Sequence, residues 1–384
     1  RDRMSTFIDI HVLQTVPSSN MNRDDTGRPK TGFFGGFTRA RVSSQAWKRA
    51  TRKDFKTYLP ELDQAVRTRR IIEDLASRLT TLDPAITQEE AIALAKGVME
   101  AAGIKFKAAR AKKPAKGEEA APVDPFDLSE YLLFVSNQQL DRLADLALAG
   151  RDGAVDKSAA KAALQANNGI EVALFGRMVA DDAAINVDAA VQVAHALSTH
   201  AVEPEFDYYT AVDDKNAESD PSAGMIGVIE FNSSTLYRYA TIDLDQLQKN
   251  LGDVAVTGRA VEAFVKSFVL SMPSGKQNTF ANGTVPEAVI VQARARRPLN
   301  LMGAFEKPIV ADGKNAISTL SAQALARRMR SVDGAYGFEP EVSYVLAGNT
   351  AVGEALANVG EHVELASLVS KVREHAISTL GGPA

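Results

Sequence analysis

The chain has 384 residues, 45% of them hydrophobic and 24% charged, with a formal net charge of −4 and no cysteine. This is the composition of a globular protein long enough for one elaborated domain or two to three ordinary ones. It excludes disulfides, thiolate zinc sites and cysteine nucleophiles, and no apolar run is long enough to span a bilayer. Charged Arg1–Met4 leads directly into a strand pattern, so no signal peptide is expected and the expected location is cytoplasmic, with no membrane partner.

Thr6 to Gln14 alternates, with Ile8, Ile10 and Val12 on one face and Asp9 and His11 on the other, which predicts a strand with one buried face. Pro17 to Gly36 reads as a loop rich in Pro, Ser, Asn, Asp and Gly. Ser43 or Ser44 then caps a helix running to about Leu59 and stopped by Pro60. On it Lys48, Arg52 and Lys56 recur every four residues beside Arg49 and Lys53, opposite Trp47, Thr51, Phe55 and Tyr58. The pattern is an amphipathic helix with a basic face.

Glu61 to Asn168 reads as almost entirely helical, with Thr87 and Glu90 forming a capping box before Ala91–Ala101. Lys105 to Pro122, rich in Ala and Lys, predicts a mobile surface loop. From Ile170 the period changes. Glu171–Val179 reads as a strand, Asp188–His200 has mixed character, and Glu205–Glu218 suits an exposed projecting hairpin. Met225–Phe231 and Thr235–Leu244 read as two strands around a turn at Asn232-Ser233-Ser234. Ala260–Ser271 and Ala316–Arg330 read as helices and Pro286–Gln292 as a strand. A helical block between irregularly alternating strands and helices favours an α+β fold carrying a large helical insertion.

Charge is the sharpest functional signal. Arg23 to Lys56 contains ten basic and three acidic residues, a local +7 on a chain whose remainder is −11. One polyanion-facing surface on an otherwise acidic protein points first to a nucleic-acid backbone. Catalytic signatures are weak by comparison. Gly32-Phe33-Phe34-Gly35-Gly36 lacks the spacing and lysine of a phosphate loop, and no nucleophile elbow is present. His195 and His200, placed on different faces of a helix, do not suit a metal, and no metal or cofactor is expected. The pairs Asp24-Asp25, Asp181-Asp182 and Asp213-Asp214 read as turn residues. Beside a basic cleft, Asp24 and Asp25 could instead hold Mg²⁺, so the alternative reading is a metal-dependent ribonuclease using these loop aspartates.

Several segments together resemble the CasC-type backbone subunit of the type I-E CRISPR surveillance complex, Cascade. They are Phe7-Ile8-Asp9-Ile10-His11-Val12-Leu13, Asn22-Arg23-Asp24-Asp25, Phe34-Gly35-Gly36, Arg41-Val42-Ser43-Ser44-Gln45 and Lys48-Arg49-Ala50. Further on come Gly176-Arg177-Met178, Ala194-His195-Ala196, Thr199-His200, Phe206-Asp207 and Thr210-Ala211-Val212-Asp213-Asp214, then Tyr237-Arg238-Tyr239-Ala240 and Gly275-Lys276-Gln277. The likeness runs from Met4 to about Phe305, is poor in the helical insertion and loose towards the C-terminus.

The resemblance implies a modified RNA-recognition (ferredoxin-like) palm from residues 1–60, 170–204 and 225–384, helical fingers at 61–169 and a β-hairpin thumb at 205–224. It implies a non-catalytic subunit that oligomerises along the CRISPR guide RNA, kinks it periodically and presents it for pairing with target DNA. The implied partners are the guide, the paired DNA, neighbouring copies and other Cascade subunits. Lys30, Ser43, Gln45, Lys48 and Arg52 would then touch guide phosphates, with Arg23 and Arg41 beside them. Met178 and Thr210 match the residues wedged at the kink, and Lys276 matches the same groove more weakly. Guide pairing supplies the sequence specificity in such a complex, which agrees with the scarcity of stacking aromatics in the basic block.

Overall fold

The computed structural model describes residues 5–108, 125–151, 153–166, 168–179, 183–211 and 225–381. The chain forms two compact units. The first comprises Arg1–Phe55, Val191–Asp245 and Val261–Ala384; the second comprises Lys56–Ala190 and Gln246–Ala260. Helices and a mixed sheet segregate in the α+β manner expected. No helix among the described residues is long and apolar enough to cross a membrane.

The first unit is built on a ten-stranded sheet. Its order is Glu361–His362, Val342–Ala347, Ala288–Ala295, Thr6–Ser19, Met225–Asp243, Ala196–Ser198, Phe37–Val42 and Thr31–Phe34. Glu205–Ala211 and Val191–Val193 also pair with Met225–Asp243. Every pairing is antiparallel except that of Glu361–His362 with Val342–Ala347.

The first strand is central, and here the expectation of one buried face is corrected. Ile8, Ile10 and Val12 are buried, but so are Asp9 and His11. A helix at Ile317–Tyr336 covers the second face, packing Leu325 and Met329 with Leu13, Tyr237 and Ile290. The polar residues survive burial because they are bonded to one another. Tyr239 Oη donates to Asp9 Oδ1 (2.8 Å) and the Leu299 amide to Asp9 Oδ2 (3.0 Å). Tyr237 Oη accepts from the Leu301 amide (3.1 Å) and lies 2.8 Å from His11 Nδ1. Arg294 joins Asp9 to Asp333 (3.6 and 2.6 Å).

Three further expectations change in this unit. Pro17 to Gly36 is not all loop: the first strand runs to Ser19 and Thr31–Phe34 forms a strand of its own. Asn232-Ser233-Ser234 is no turn, because Met225–Asp243 is one strand throughout. Its polar centre pairs across to the first strand, Ser234 with Val16 and Asn232 with Ser19, and the register shift falls at Pro17, which has no amide to donate. His195 and His200 flank the strand Ala196–Ser198 and share no helix.

The second unit is helical but not almost entirely so. Ala65–Thr68 pairs with Leu133–Ser136, and Phe106–Lys107 with Leu128–Ser129. Short strands of two to four residues, enclosed by helices, leave too little alternation to be read from sequence. The helices Ile71–Leu82, Gln88–Ala101 and Asn137–Ala149 bury Leu75, Leu79, Val98, Leu140 and Leu143 in one core. Thr87 does cap its helix through the Glu90 amide (3.2 Å), but the Glu90 carboxylate turns to Arg151 (2.7 Å) instead of back to the cap. The full capping box sits at Ser136 and Gln139.

Ile170–Phe175 is a helix, not the expected strand. Its β-branched residues mislead because Ile170 to Leu174 are all buried, so no helical stripe shows. Most of the Lys105–Pro122 stretch lies outside the described residues, as do Asp181-Asp182 and Asp213-Asp214.

Candidate nucleic-acid interface

The basic helix is Ser44–Asp54, followed by one 3-10 turn at Phe55–Thr57. Trp47, Ala50 and Thr51 are buried on its inner side, while Gln45, Arg49 and Lys53 are exposed and Lys48 and Arg52 half-buried. Its first turn carries no acidic residue. The positive end of the helix dipole is therefore uncompensated. Ser43 is the N-cap: its Oγ accepts from the Ala46 amide (3.3 Å), and at 6% exposure the residue is mostly withdrawn from solvent.

Asn22 ties this helix start to the preceding loop. Its Oδ1 accepts from the Ser43 amide (2.8 Å) and its carbonyl from the Lys30 amide (2.9 Å), while the Lys30 carbonyl accepts from the Arg41 amide (2.9 Å). Four separated sequence positions, Asn22, Lys30, Arg41 and Ser43, thus meet through one set of hydrogen bonds. Asn22, Lys30 and Arg41 border a shallow open pocket that also takes in Met21 and Asn232.

Gly275 brings Lys276 to the same place. A Cβ at Gly275 would lie 2.2 Å from the Met21 carbonyl oxygen, so only glycine allows the approach. Lys276 itself is half-buried and left-handed (φ 52°). Arg41 is held at two points, Nε donating to Thr31 O (2.8 Å) and Nη1 to His195 Nδ1 (3.3 Å). Among the described residues Arg23, Lys30, Arg41, Lys48 and Lys276 form no ion pair, and partial burial lowers the Lys48 ammonium from its usual range. These are cations held in place without a protein counter-ion.

Not every arginine of the basic block belongs to this surface. Arg39 is fully buried and donates to the carbonyls of Ser198 (3.0 Å) and Phe305 (2.8 Å). Arg28 pairs with Glu230 (2.8 Å). Asp24 does the work of a turn residue: its Oδ1 accepts from the Thr26 amide (2.9 Å), Thr26 Oγ1 (2.8 Å) and the Arg28 amide (3.0 Å). The Thr26 hydroxyl leads these bonds in holding the Asp24 carboxyl below the usual carboxylate range. Asp25 is exposed. Among the described residues no group of three or more His, Asp or Glu is placed to hold a metal ion.

Met178 lies in the second unit. The segment Gly176-Arg177-Met178 has a clear local logic there. Gly176 takes φ 77°, and a Cβ on it would meet the Val187 carbonyl oxygen at 2.9 Å. Arg177 is a buried anchor donating to Ile185 O (2.8 Å), Phe134 O (3.2 Å) and Leu164 O (2.6 Å). Burial pushes its guanidinium down to about 10. Met178 follows this anchor at 84% exposure, where a core methionine would be hidden. Thr210 lies on the strand Glu205–Ala211, opposite Ile226. Phe206 and Tyr208 of that strand are exposed, and the rest of the expected hairpin, residues 212–224, falls outside the described residues.

Reading residue types alone missed that Asn22 and His195 hydrogen-bond to Ser43 and Arg41, and that Arg39, Arg177 and Arg238 (bonded to Gln14) are buried. Only Asn22 left a usable signal, an asparagine two residues before a paired-aspartate turn.

The family model for CT1975-like protein matches residues 8–371, and the chain belongs to that family. It is also similar to chains of two solved assemblies. One, described as "CRISPR RNA-guided surveillance complex, pre-nicking", is 33% identical over 96% of this chain and 100% of its own, with a TM-score of 0.81. The other, described as "CRISPR RNA-guided surveillance complex", is 29% identical over 95% of this chain and 99% of its own, with a TM-score of 0.67. These matches bear out the resemblance to a surveillance-complex backbone subunit drawn from the sequence. No curated protein matches this chain.

Proposed function

We propose that this chain is a non-catalytic backbone subunit of a type I-E Cascade, binding CRISPR guide RNA through its phosphates and repeating along it. The observation that carries the reading is the convergence in one unit of Lys30, Arg41, Lys276 and the uncompensated start of the basic helix, all without carboxylate partners. Backbone amides at a helix start and fixed cations are the groups that hold phosphates. The likeness to chains of RNA-guided surveillance complexes supplies the partner.

On this reading the ten-stranded sheet belongs to an RNA-recognition-like palm, 61–169 forms the fingers and 205–224 the thumb. Lys30, Ser43, Gln45, Lys48 and Arg52 contact the guide, with Arg23, Arg41 and Lys276 beside them. Met178 and Thr210 act at the kink, where an apolar, exposed methionine suits an unstacked base. Neighbouring copies, other Cascade subunits and the target DNA strand complete the assembly. On this reading Asp24 is a turn residue; the alternative, a metal-dependent ribonuclease using Asp24 and Asp25, predicts Mg²⁺-dependent RNA cleavage that is lost in Asp24→Ala or Asp25→Ala.

The test is the mass and affinity of purified protein on single-stranded RNAs of increasing length. Subunits adding stepwise with length support the reading; one-to-one binding independent of length contradicts it. With about four phosphates neutralised per subunit, log K falls against log[salt] with a slope of about −3. The double variant Lys48→Glu/Arg52→Glu should fail to assemble.

A further inference from the structure

We propose that His195 is the proton-linked member of the phosphate site: neutral while the site is empty and protonated once a polynucleotide phosphate lies beside Arg41 and Lys30. The inference rests on the RNA-binding reading above and adds to it a residue and a pH dependence.

The geometry defines the empty state. A guanidinium can only donate, so the Arg41 Nη1 to His195 Nδ1 contact of 3.3 Å requires a bare Nδ1 lone pair and a proton on Nε2. His195 is exposed at the junction of Val191–Val193 and Ala196–Ser198, where a ligand can reach it. The residue before it is fixed by the Ala194 amide donating to Tyr239 O (2.9 Å), so the imidazole is presented from rigid sheet.

The charged groups facing the imidazole are cations: Arg41 from the strand Phe37–Val42 and Lys30 from the loop. The basic helix, which packs against Val191–Val193, carries Lys48, Arg49, Arg52 and Lys53 and, at its far end, one carboxylate, Asp54. Protonating the empty site would place one more cation among these. Partial burial, then Arg41, then Lys30 accordingly hold His195 below the usual histidine range.

A bound phosphate reverses the balance. An anion within reach of all three groups favours the imidazolium, which then donates from both nitrogens. The complex binds a proton that the free protein does not, drawn from solvent. Affinity for RNA therefore rises as pH falls between the bound and free histidine values, at up to about tenfold per pH unit for one proton. A histidine that merely packs at the strand junction would give no such slope.

The experiment uses the full chain and a fluorescein-labelled oligouridylate, titrated from about pH 5.5 to 8 at fixed ionic strength. Wild type should tighten by about threefold to tenfold per pH unit within this window. His195→Gln, which keeps an acceptor for Arg41, should bind like wild type at the alkaline end and stay flat below it. His195→Arg should bind tightly at both ends. Because the side chain is exposed, both variants should melt like wild type. Parallel pH profiles in wild type and His195→Gln would overturn the assignment of His195 while leaving RNA binding intact. Absence of RNA binding at every pH would overturn both.

Discussion

Arg238 is buried beneath the basic helix, its guanidinium carbon 3.8 Å from the Trp47 ring centre and 4.6 Å from that of Phe268. Nη1 donates to Gln14 Oε1 (2.5 Å) and Nη2 to the Phe268 carbonyl, with no carboxylate among these partners. Burial pushes it down to about 9, so it stays charged at neutral pH. The two aromatic faces take the place of a counter-ion. Arg238→Ala should lose about 3 kcal/mol or more through the cavity and the broken stacks, whereas Arg238→Met should lose about 1–2 kcal/mol, mainly from the orphaned Gln14 oxygen. Trp47 is the only tryptophan, so urea unfolding followed by its emission measures both.

His11 gives a pH signature of the sheet interior. Burial, then Arg294, pushes it down to about 3 from 6.5. Its neutral form contributes stability that is fully present above pH 6.5 and is lost as pH falls towards 3. The expected slope is about 1.4 kcal/mol per pH unit within that window. Burial raises the neighbouring Asp9 carboxyl, which acts in the opposite sense towards the acid end. His11→Gln should flatten the stability profile between about pH 6 and 5, read by urea midpoints, without changing RNA binding at neutral pH.

Among elements, two strand and loop contacts depend on an absent side chain. Gly275 lets the Lys276 loop touch Met21, and Gly275→Ala would place a carbon 2.2 Å from a backbone oxygen. The loop must move, so this variant should weaken RNA binding severalfold with a stability cost of about 1–3 kcal/mol. Gly227 lies opposite Tyr209 in the pairing of Glu205–Ala211 with Met225–Asp243, and the Tyr209 ring occupies the space above it, 2.2 Å from where a Cβ would stand. Gly227→Val should displace that ring and increase amide exchange along the two strands, measurable by hydrogen exchange. The basic helix was legible at this scale, because its apolar and basic residues repeat at helical spacing, but its end was not: the α-helix stops at Asp54 and a 3-10 turn at Thr57, short of the expected Leu59 and Pro60. The strand break expected at Asn232-Ser233-Ser234 was not, because cross-strand partners hold those polar residues in line and local propensity carries no information about them.

For the whole molecule, assembly is the property to measure. Filament growth on RNA should track length in equal steps and collapse with salt, since exposed cations act through a screened field. Substituting Met178 by Asp should leave both units folded, because its side chain is 84% exposed, and should impair assembly on RNA while leaving the thermal transition unchanged within about 0.5 kcal/mol.

What the sequence determined by itself was whatever is written in neighbouring residues. The central strand, the basic helix, the excess charge of Arg23–Lys56 and the α+β class all follow from local period and composition. Family resemblance extended this to the kind of protein, because it compares many separated segments at once. The tertiary structure alone decided which cations face outward. Arg39, Arg177 and Arg238 are as basic as Arg41, yet carbonyls and rings enclose them, while Arg41 is left at a pocket edge beside His195. The reason is physical: burial and counter-ion placement depend on contacts between residues more than a hundred positions apart, as with Arg39 and Phe305, and no local pattern encodes them.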